Sequence, residues 1–174
     1  MGELQMTRRA VLAVLASTAA LSSATQALAA TGLPDGLRFR EFRVDVSPLL
    51  AKNEDEAAKW VAATLPSDLQ KTFAKYYAPG ERGAGVLVAR IDNVTLGSPH
   101  IGMSSLMATD TIDDIDGVGL ALDARGRTIG SFPLHSASGA DTRQGLPYQE
   151  EIRRRRIETL ALSFAQWLPG QMGL

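Results

Sequence analysis

The stretch Asp116–Leu134 reads DGVGLALDARGRTIGSFPL, and its pattern decides the fold. Val118, Leu120 and Leu122 alternate with small residues. Asp123-Ala124-Arg125-Gly126-Arg127 follows, and a second run then carries Ile129, Phe132 and Leu134. Period-two alternation on both sides of a glycine-bearing turn marks a β-hairpin. Pro133 has no N–H to donate, so the second strand of the hairpin belongs near a sheet edge. Upstream, Ala84–Leu96 contains the unbroken apolar run Val86-Leu87-Val88, which suits a central strand. Gly83–Ser138 thus reads as three successive strands, with the rest of the chain as their cover.

Further out, Leu37–Leu50 alternates imperfectly, with Glu41, Arg43 and Asp45 on one parity and Phe42, Val44 and Val46 on the other. This predicts a first strand that carries a bulge or twist and stops at Ser47-Pro48. Asn53 is placed to cap a helix, with Glu56 three residues on. Ala57, Trp60, Val61, Thr64 and Leu65 recur at helical spacing. Pro66 interrupts them, and the segment Pro66–Tyr77, bearing Leu69, Phe73 and Tyr76, reads either as the continuation of one bent helix or as a second helix abutting the first. A last helix, Tyr148–Leu168, carries the stripe Ile152, Ile157, Leu160, Ala161, Phe164 and Leu168, with Pro169-Gly170 as its stop. The order β-α-β-β-β-α predicts an α+β two-layer sandwich: a four-stranded, mainly antiparallel sheet with the helices on one face. Two polar loops, Ser98–Thr111 and Ser136–Pro147, complete a single domain spanning residues 30–174.

The first 29 residues read differently. Thr7-Arg8-Arg9 is basic, Ala10–Leu21 is apolar, and Ala27-Leu28-Ala29 is a small-x-small cleavage pattern. These are the three parts of a secretory signal peptide, cleaved near Ala29, and the paired arginines also fit a twin-arginine signal. The apolar run is too short for a membrane span, so the mature chain is expected to have none. The periplasm of a double-membrane bacterium is the expected location.

Composition removes several classes of function. The 174 residues contain no cysteine, which excludes disulfides, thiolate metal sites and a cysteine nucleophile. Eighteen Lys and Arg against 19 Asp and Glu give a net charge of −1, without the basic excess of a nucleic-acid binder. Asp110, Asp113, Asp114 and Asp116 precede Gly117. Set on a calcium-loop pattern, Asp114, Asp116, Gly117 and Asp123 fall at the third, fifth, sixth and twelfth positions. The first ligand position would then be Ile112, which has no oxygen to offer. No metal and no cofactor is expected. His100 and His135, with Ser98, Ser104, Ser105, Ser136 or Ser138 and one of the aspartates, can be drawn as a hydrolytic triad, but no G-x-S-x-G fixes one.

Two features point to contact with a partner. Met103, Leu106 and Met107 place apolar side chains in a loop, where water reaches them. Arg153-Arg154-Arg155-Arg156 is the densest charge run. Successive helical positions sweep round the axis, so some of these arginines should pair with Glu150, Glu151 or Glu158. The others, Arg153, Arg154 and Arg156 among them, would offer a docking patch to an acidic protein surface or to lipid head groups. Trp60, Phe73, Tyr76, Tyr77, Phe164 and Trp167 either build the core or line an apolar groove.

Trp60–Tyr77 with its central Leu65-Pro66, Val86–Gly97 ending in Val94-Thr95-Leu96-Gly97, and the Asp116–Leu134 hairpin resemble small uncharacterised exported proteins of Gram-negative bacteria. The broader shape is similar to periplasmic auxiliary components of envelope transport systems. That resemblance implies a two-layer α/β domain and transfers no functional residue. Many such components are lipoproteins, whereas this chain has no cysteine to acylate. The expectation is a non-catalytic periplasmic binding or assembly factor contacting another component of the cell envelope. A carrier of a small apolar or lipidic ligand is the alternative, and a small hydrolase the second alternative.

Overall fold

A computed structural model of the chain describes residue 33 and residues 36–97, 112–139 and 149–174. The leader, the 98–111 loop and the 140–148 loop, with His100, Met103, Leu106, Met107 and Asp110 in them, lie outside the described residues.

The hairpin forms as its alternation requires. Strand β3, Ile112–Leu122, pairs antiparallel with β4, Thr128–Gly139. The turn between them closes on Asp123: its Oδ1 accepts the backbone N–H groups of Arg125 and Arg127, each at 2.9 Å. Gly126 takes the left-handed φ of 80° that the turn needs. Strand β2, Gly85–Thr95, pairs antiparallel with β3 and parallel with β1, Phe39–Asp45, giving the order β1-β2-β3-β4. Val86-Leu87-Val88 is therefore in a central strand, and Pro133 is in an edge strand. The parallel β1–β2 pair needs a long crossover. It is supplied by α1, Ser47–Ala51, and α2, Asp55–Thr72, with a short 3-10 turn after them. The final helix, α3, spans Gln149–Met172.

Three local expectations are corrected, and one open alternative is decided. The first strand ends at Asp45, and Pro48 opens α1 instead of terminating the strand, because a first helical turn needs no N–H at that position. Asn53 is no cap: it has a positive φ of 61°, and Glu54 precedes α2 without a side-chain capping bond. Of the two readings of Pro66 the single helix holds: Pro66 lies inside a continuous α2 and does not start a second one. Pro169 lies inside α3, which continues to Met172, where a 4 % exposed side chain rejoins the core.

Both long helices pack on the same face of the sheet. The core joins Leu65, Leu69 and Phe73 from the α2 side and Leu160, Phe164 and Leu168 from α3 to Leu87, Ala89, Ile91, Ile115, Ala121, Phe132 and Leu134 of the strands. The small residues of β3 admit α3. A Cβ on Gly119 would stand 2.5 Å from Leu168 Cδ1, and one on Gly117 would stand 3.1 Å from Phe164 Cε2. The aromatic rings at the β1 end form a cluster, with Phe39 and Phe73 edge-on at 6.0 Å and Phe42 and Tyr77 at 5.4 Å. Trp167, grouped by spacing with the core aromatics, is instead 64 % exposed.

Candidate functional site

Because side chains alternate across a strand, the register defines what the opposite face of the sheet presents. Glu41, Val86, Leu122 and Thr128 make one row, followed by Arg43, Val88, Leu120 and Ser131. Next come Asp45, Arg90, Val118 and Pro133, and then Asn93, Asp116 and His135. Thr95, Asp114 and Ala137 close the surface. Val86, Val88, Val118, Leu120 and Leu122 are all absent from the core cluster. Val88, Val118, Leu120 and Leu122 are partly exposed and form an apolar strip over β2 and β3 that no described helix covers, whereas Val86 at its end is buried.

Charge borders the strip on two sides. On β1, Arg43 Nε donates to Glu41 Oε1 at 2.8 Å. This bond holds the Glu41 carboxyl below its ordinary range and raises Arg43. Arg90 Nε donates to Asp92 Oδ1 at 2.9 Å, which raises the Arg90 guanidinium. Asp45 accepts the Ser47 N–H at 3.0 Å, and its hydrogen bonds with Ser47 lower its carboxyl.

At the far end of the face, His135 Nδ1 lies 2.7 Å from Asp116 Oδ1. One donor atom each from Asp114, Asp116 and His135 lies within 4.8 Å of the others, close enough to meet one cation. Asn93, in the same row, adds no free donor. Its Oδ1 accepts from Lys52 Nζ at 3.1 Å and its Nδ2 donates to Thr95 Oγ1 at 3.0 Å. The calcium-loop arrangement is not formed, because Asp114 and Asp116 lie within β3 and Asp123 lies beyond its end. At about 3.3 Å per residue, Asp116 and Asp123 stand roughly 20 Å apart.

The triad drawn through His135 is also taken apart by alternation. Ser136 is the next residue and points to the helix side, where its Oγ meets Ser163 Oγ at 2.7 Å. Ser138 shares that parity, opposite Asp113. Neither hydroxyl can reach the His135 ring across the sheet.

The acidic cluster divides in the same way. Asp113 shares the parity of Ile115 and is 2 % exposed. Its Oδ2 accepts from Arg156 Nε at 2.7 Å, its Oδ1 meets Arg156 Nη2, and that same nitrogen donates to Gly97 O at 2.6 Å. Arg156 thus pins α3 to the ends of β2 and β3. The other arginines also meet carboxylates of the chain: Arg153 with Glu56, Arg154 with Glu158, and Arg155 with Glu151. Arg153 and Arg154 stay exposed, whereas the Arg156 side chain is 12 % exposed and faces inward. The Asp113–Arg156 pair had a signal in the sequence. Arg156 stands four residues before Leu160 and eight before Phe164, on the buried stripe, and Asp113 stands two before Ile115.

No family model matches the chain, and no curated protein matches it significantly. Several solved structures are similar to it. A minor lipoprotein from Acinetobacter baumannii has 17 % identity over 76 % of this chain and 94 % of that one, with a TM-score of 0.40. The PelC dodecamer from Paraburkholderia phytofirmans has 13 % identity over 82 % of this chain and 93 % of that one, with a TM-score of 0.40. Uncharacterized lipoprotein B from Nitrosomonas europaea has 13 % identity over 78 % and 80 %, with a TM-score of 0.30. At this identity and superposition the similarities assign neither a family nor a role. Among the described residues no helix is long and apolar enough to cross a membrane.

Proposed function

We propose that this chain is an exported, non-catalytic binding or assembly factor that contacts another component of the cell envelope. The observation that carries this reading is the apolar strip Val88-Val118-Leu120-Leu122, which has charge on two sides and no second layer among the described residues. A sheet face with a complete core behind it gains by covering such a strip with a partner. The partner fitted to it presents an apolar ridge with charged flanks. The leader, residues 1–29, supplies export to the periplasm. Met103, Leu106 and Met107 lie in sequence between β2 and β3, in the segment that joins the Thr95 end of β2 to the Ile112 end of β3. In this reading they extend the contact, and Arg153 and Arg154 add charge on the helix side. The carrier alternative needs room beside Phe73 or Phe164, and both are fully buried within the core cluster.

The test places a photo-crosslinking residue at Leu120 in the native host. A discrete heavier adduct is expected, and it should disappear when Val88→Ser and Val118→Ser are added with the melting temperature preserved. Replacing Met103, Leu106 and Met107 by Ser should weaken the same adduct. A folded protein that yields no adduct from this face removes the reading.

A further inference from the structure

We propose that Asp114, Asp116 and His135 form a binding site for one divalent first-row transition ion, Zn²⁺ or a near neighbour, on the open face of the sheet. This binding is independent of any cover over the apolar strip. Asp114 and Asp116 stand two apart in β3, so alternation sets both carboxyls on one face, about 7 Å apart along the strand. His135 of β4 is the register partner of Asp116, and Ala137, the partner of Asp114, is too small to fill the space beside it. His135 Nδ1 lies 2.7 Å from Asp116 Oδ1, and one donor atom from each of the three residues lies within 4.8 Å of the others. Atoms that share an ion at about 2.1 Å stand at most about 4.2 Å apart, so the widest gap closes by less than about 1 Å. Asp114 and Asp116 are half-buried and His135 is exposed, which leaves their side chains room for that rotation.

What separates these residues from an ordinary acidic surface is the balance of charge around them. Elsewhere on this face Glu41 meets Arg43, Asp92 meets Arg90, and Asp45 accepts the Ser47 N–H. Lys52 Nζ, which reaches the row of Asp116, donates instead to Asp92 O at 2.8 Å and to Asn93 Oδ1 at 3.1 Å. Arg156 meets Asp113 on the helix side. Among the described residues Asp114 has no ion pair and no hydrogen bond, and Asp116 has His135 alone. Two carboxylates are thus set side by side with no Lys or Arg between them. Like charges held this close repel, and a dication between them removes the repulsion from both at once.

The donor set selects the ion. Calcium takes about six to eight oxygens, and magnesium keeps its waters in a strict oxygen octahedron. Two carboxylates and an imidazole are instead ligands of Zn²⁺ and its first-row neighbours. Three protein ligands leave at least one position open. All three rise from the sheet below, so the open position faces away from it, on the side of the apolar strip, where a water or an outside donor completes the shell. The aspartate spacing alone suggests the calcium loop that the strands exclude. The ligand that changes the ion is His135, and only the pairing of β4 with β3 brings it to Asp116.

The test uses the full chain, purified without a histidine tag and stripped with a chelator. Calorimetric titration with Zn²⁺ should show one equivalent bound, and the ring ¹⁵N signals of His135 should move as the site fills. His135→Ala and Asp114→Asn should each weaken Zn²⁺ by about tenfold to a hundredfold or more, with the melting temperature in chelator unchanged. His100→Ala removes the only other histidine of the chain and should leave the affinity as it was. Should His135→Ala fold poorly, Asp114→Asn carries the test, read through the His135 ring signals. Ca²⁺ and Mg²⁺ should bind far more weakly than Zn²⁺. Zn²⁺ binding that survives both His135→Ala and Asp114→Asn overturns the proposal, and so does binding that is lost with His100 instead. Equal affinity for Ca²⁺ and Zn²⁺ is the mark of a bare acidic surface and also overturns it. Uptake of several weak equivalents with a stationary His135 ring would show an adventitious ion only, and the site falls.

Discussion

Arg156 shows how much one position in a run of like residues can differ from its neighbours. Composition and helical sweep establish that the four arginines cannot share a face, but which of them turns inward depends on phase. Ile157, Leu160 and Phe164 set that phase, and Arg156 lies at its margin. The inward guanidinium meets Asp113 at 2 % exposure, so removing one partner leaves the other charge without compensation in the interior. Arg156→Ala should therefore lower unfolding free energy by about 3–5 kcal/mol, the usual result of breaking a buried pair. Arg153→Ala, which removes one exposed partner of Glu56, should change it by less than about 1 kcal/mol. Urea denaturation of both variants, with the Asp113→Ala/Arg156→Ala double variant, completes the comparison. The double variant should lose less than Arg156→Ala alone, because the orphaned carboxylate is gone. Equal losses for Arg153→Ala and Arg156→Ala would mean that the pair contributes no more than a surface bridge.

The elements were legible where local chemistry and tertiary packing agree. Alternation, the Gly126 turn and Pro133 all specify the same hairpin, and it forms as read. Pro169 reads as a stop and Pro66 leaves one helix or two open because each lacks one N–H, while the burial on either side favours continuing. Leu65 and Leu69 flank Pro66, and Leu168 and Met172 flank Pro169, all of them in the core. A sequence displays the missing donor and conceals the packing that outweighs it. The hairpin turn carries a pH dependence of its own. Asp123 is held below its ordinary value of 3.8, first by the Arg127 backbone N–H and then by the Arg127 side chain and the Arg125 N–H. A carboxyl with a lowered folded-state value contributes stability at pH above the unfolded value and loses it as pH falls through the folded one. The Asp123 contribution is thus complete near neutrality and fades below about pH 4. Asp123→Asn should flatten the acid limb of the stability profile, measured as urea midpoint between about pH 5 and pH 2. An unchanged acid limb would show that the turn does not use the charge.

The sheet as a whole has two unlike faces, and the sequence displayed the difference only in part. Val86-Leu87-Val88 reads as a run buried on both sides, which in many α/β proteins means helices on both faces. Here the helices lie on one face only, so Leu87 enters the core while Val88 joins the uncovered strip. What separated these outcomes was the count of covering elements: two long helices suffice for one face of four strands. The adjacent pair makes a direct test of whether the strip is uncovered in the free protein. Leu87 is fully buried, and Leu87→Ala should cost about 2–5 kcal/mol, the transfer term plus a cavity closed in by the core. Val88 is only half-buried, and Val88→Ala removes less area and leaves no enclosed cavity, so its loss should stay below about 1 kcal/mol. Both are measured by urea unfolding. Equal losses would place a second layer over Val88 within the chain itself, and the open face would then no longer be available to a partner. A small loss for Val88 with a large one for Leu87 leaves the strip free to be covered from outside, which is what a contact-based function requires of it.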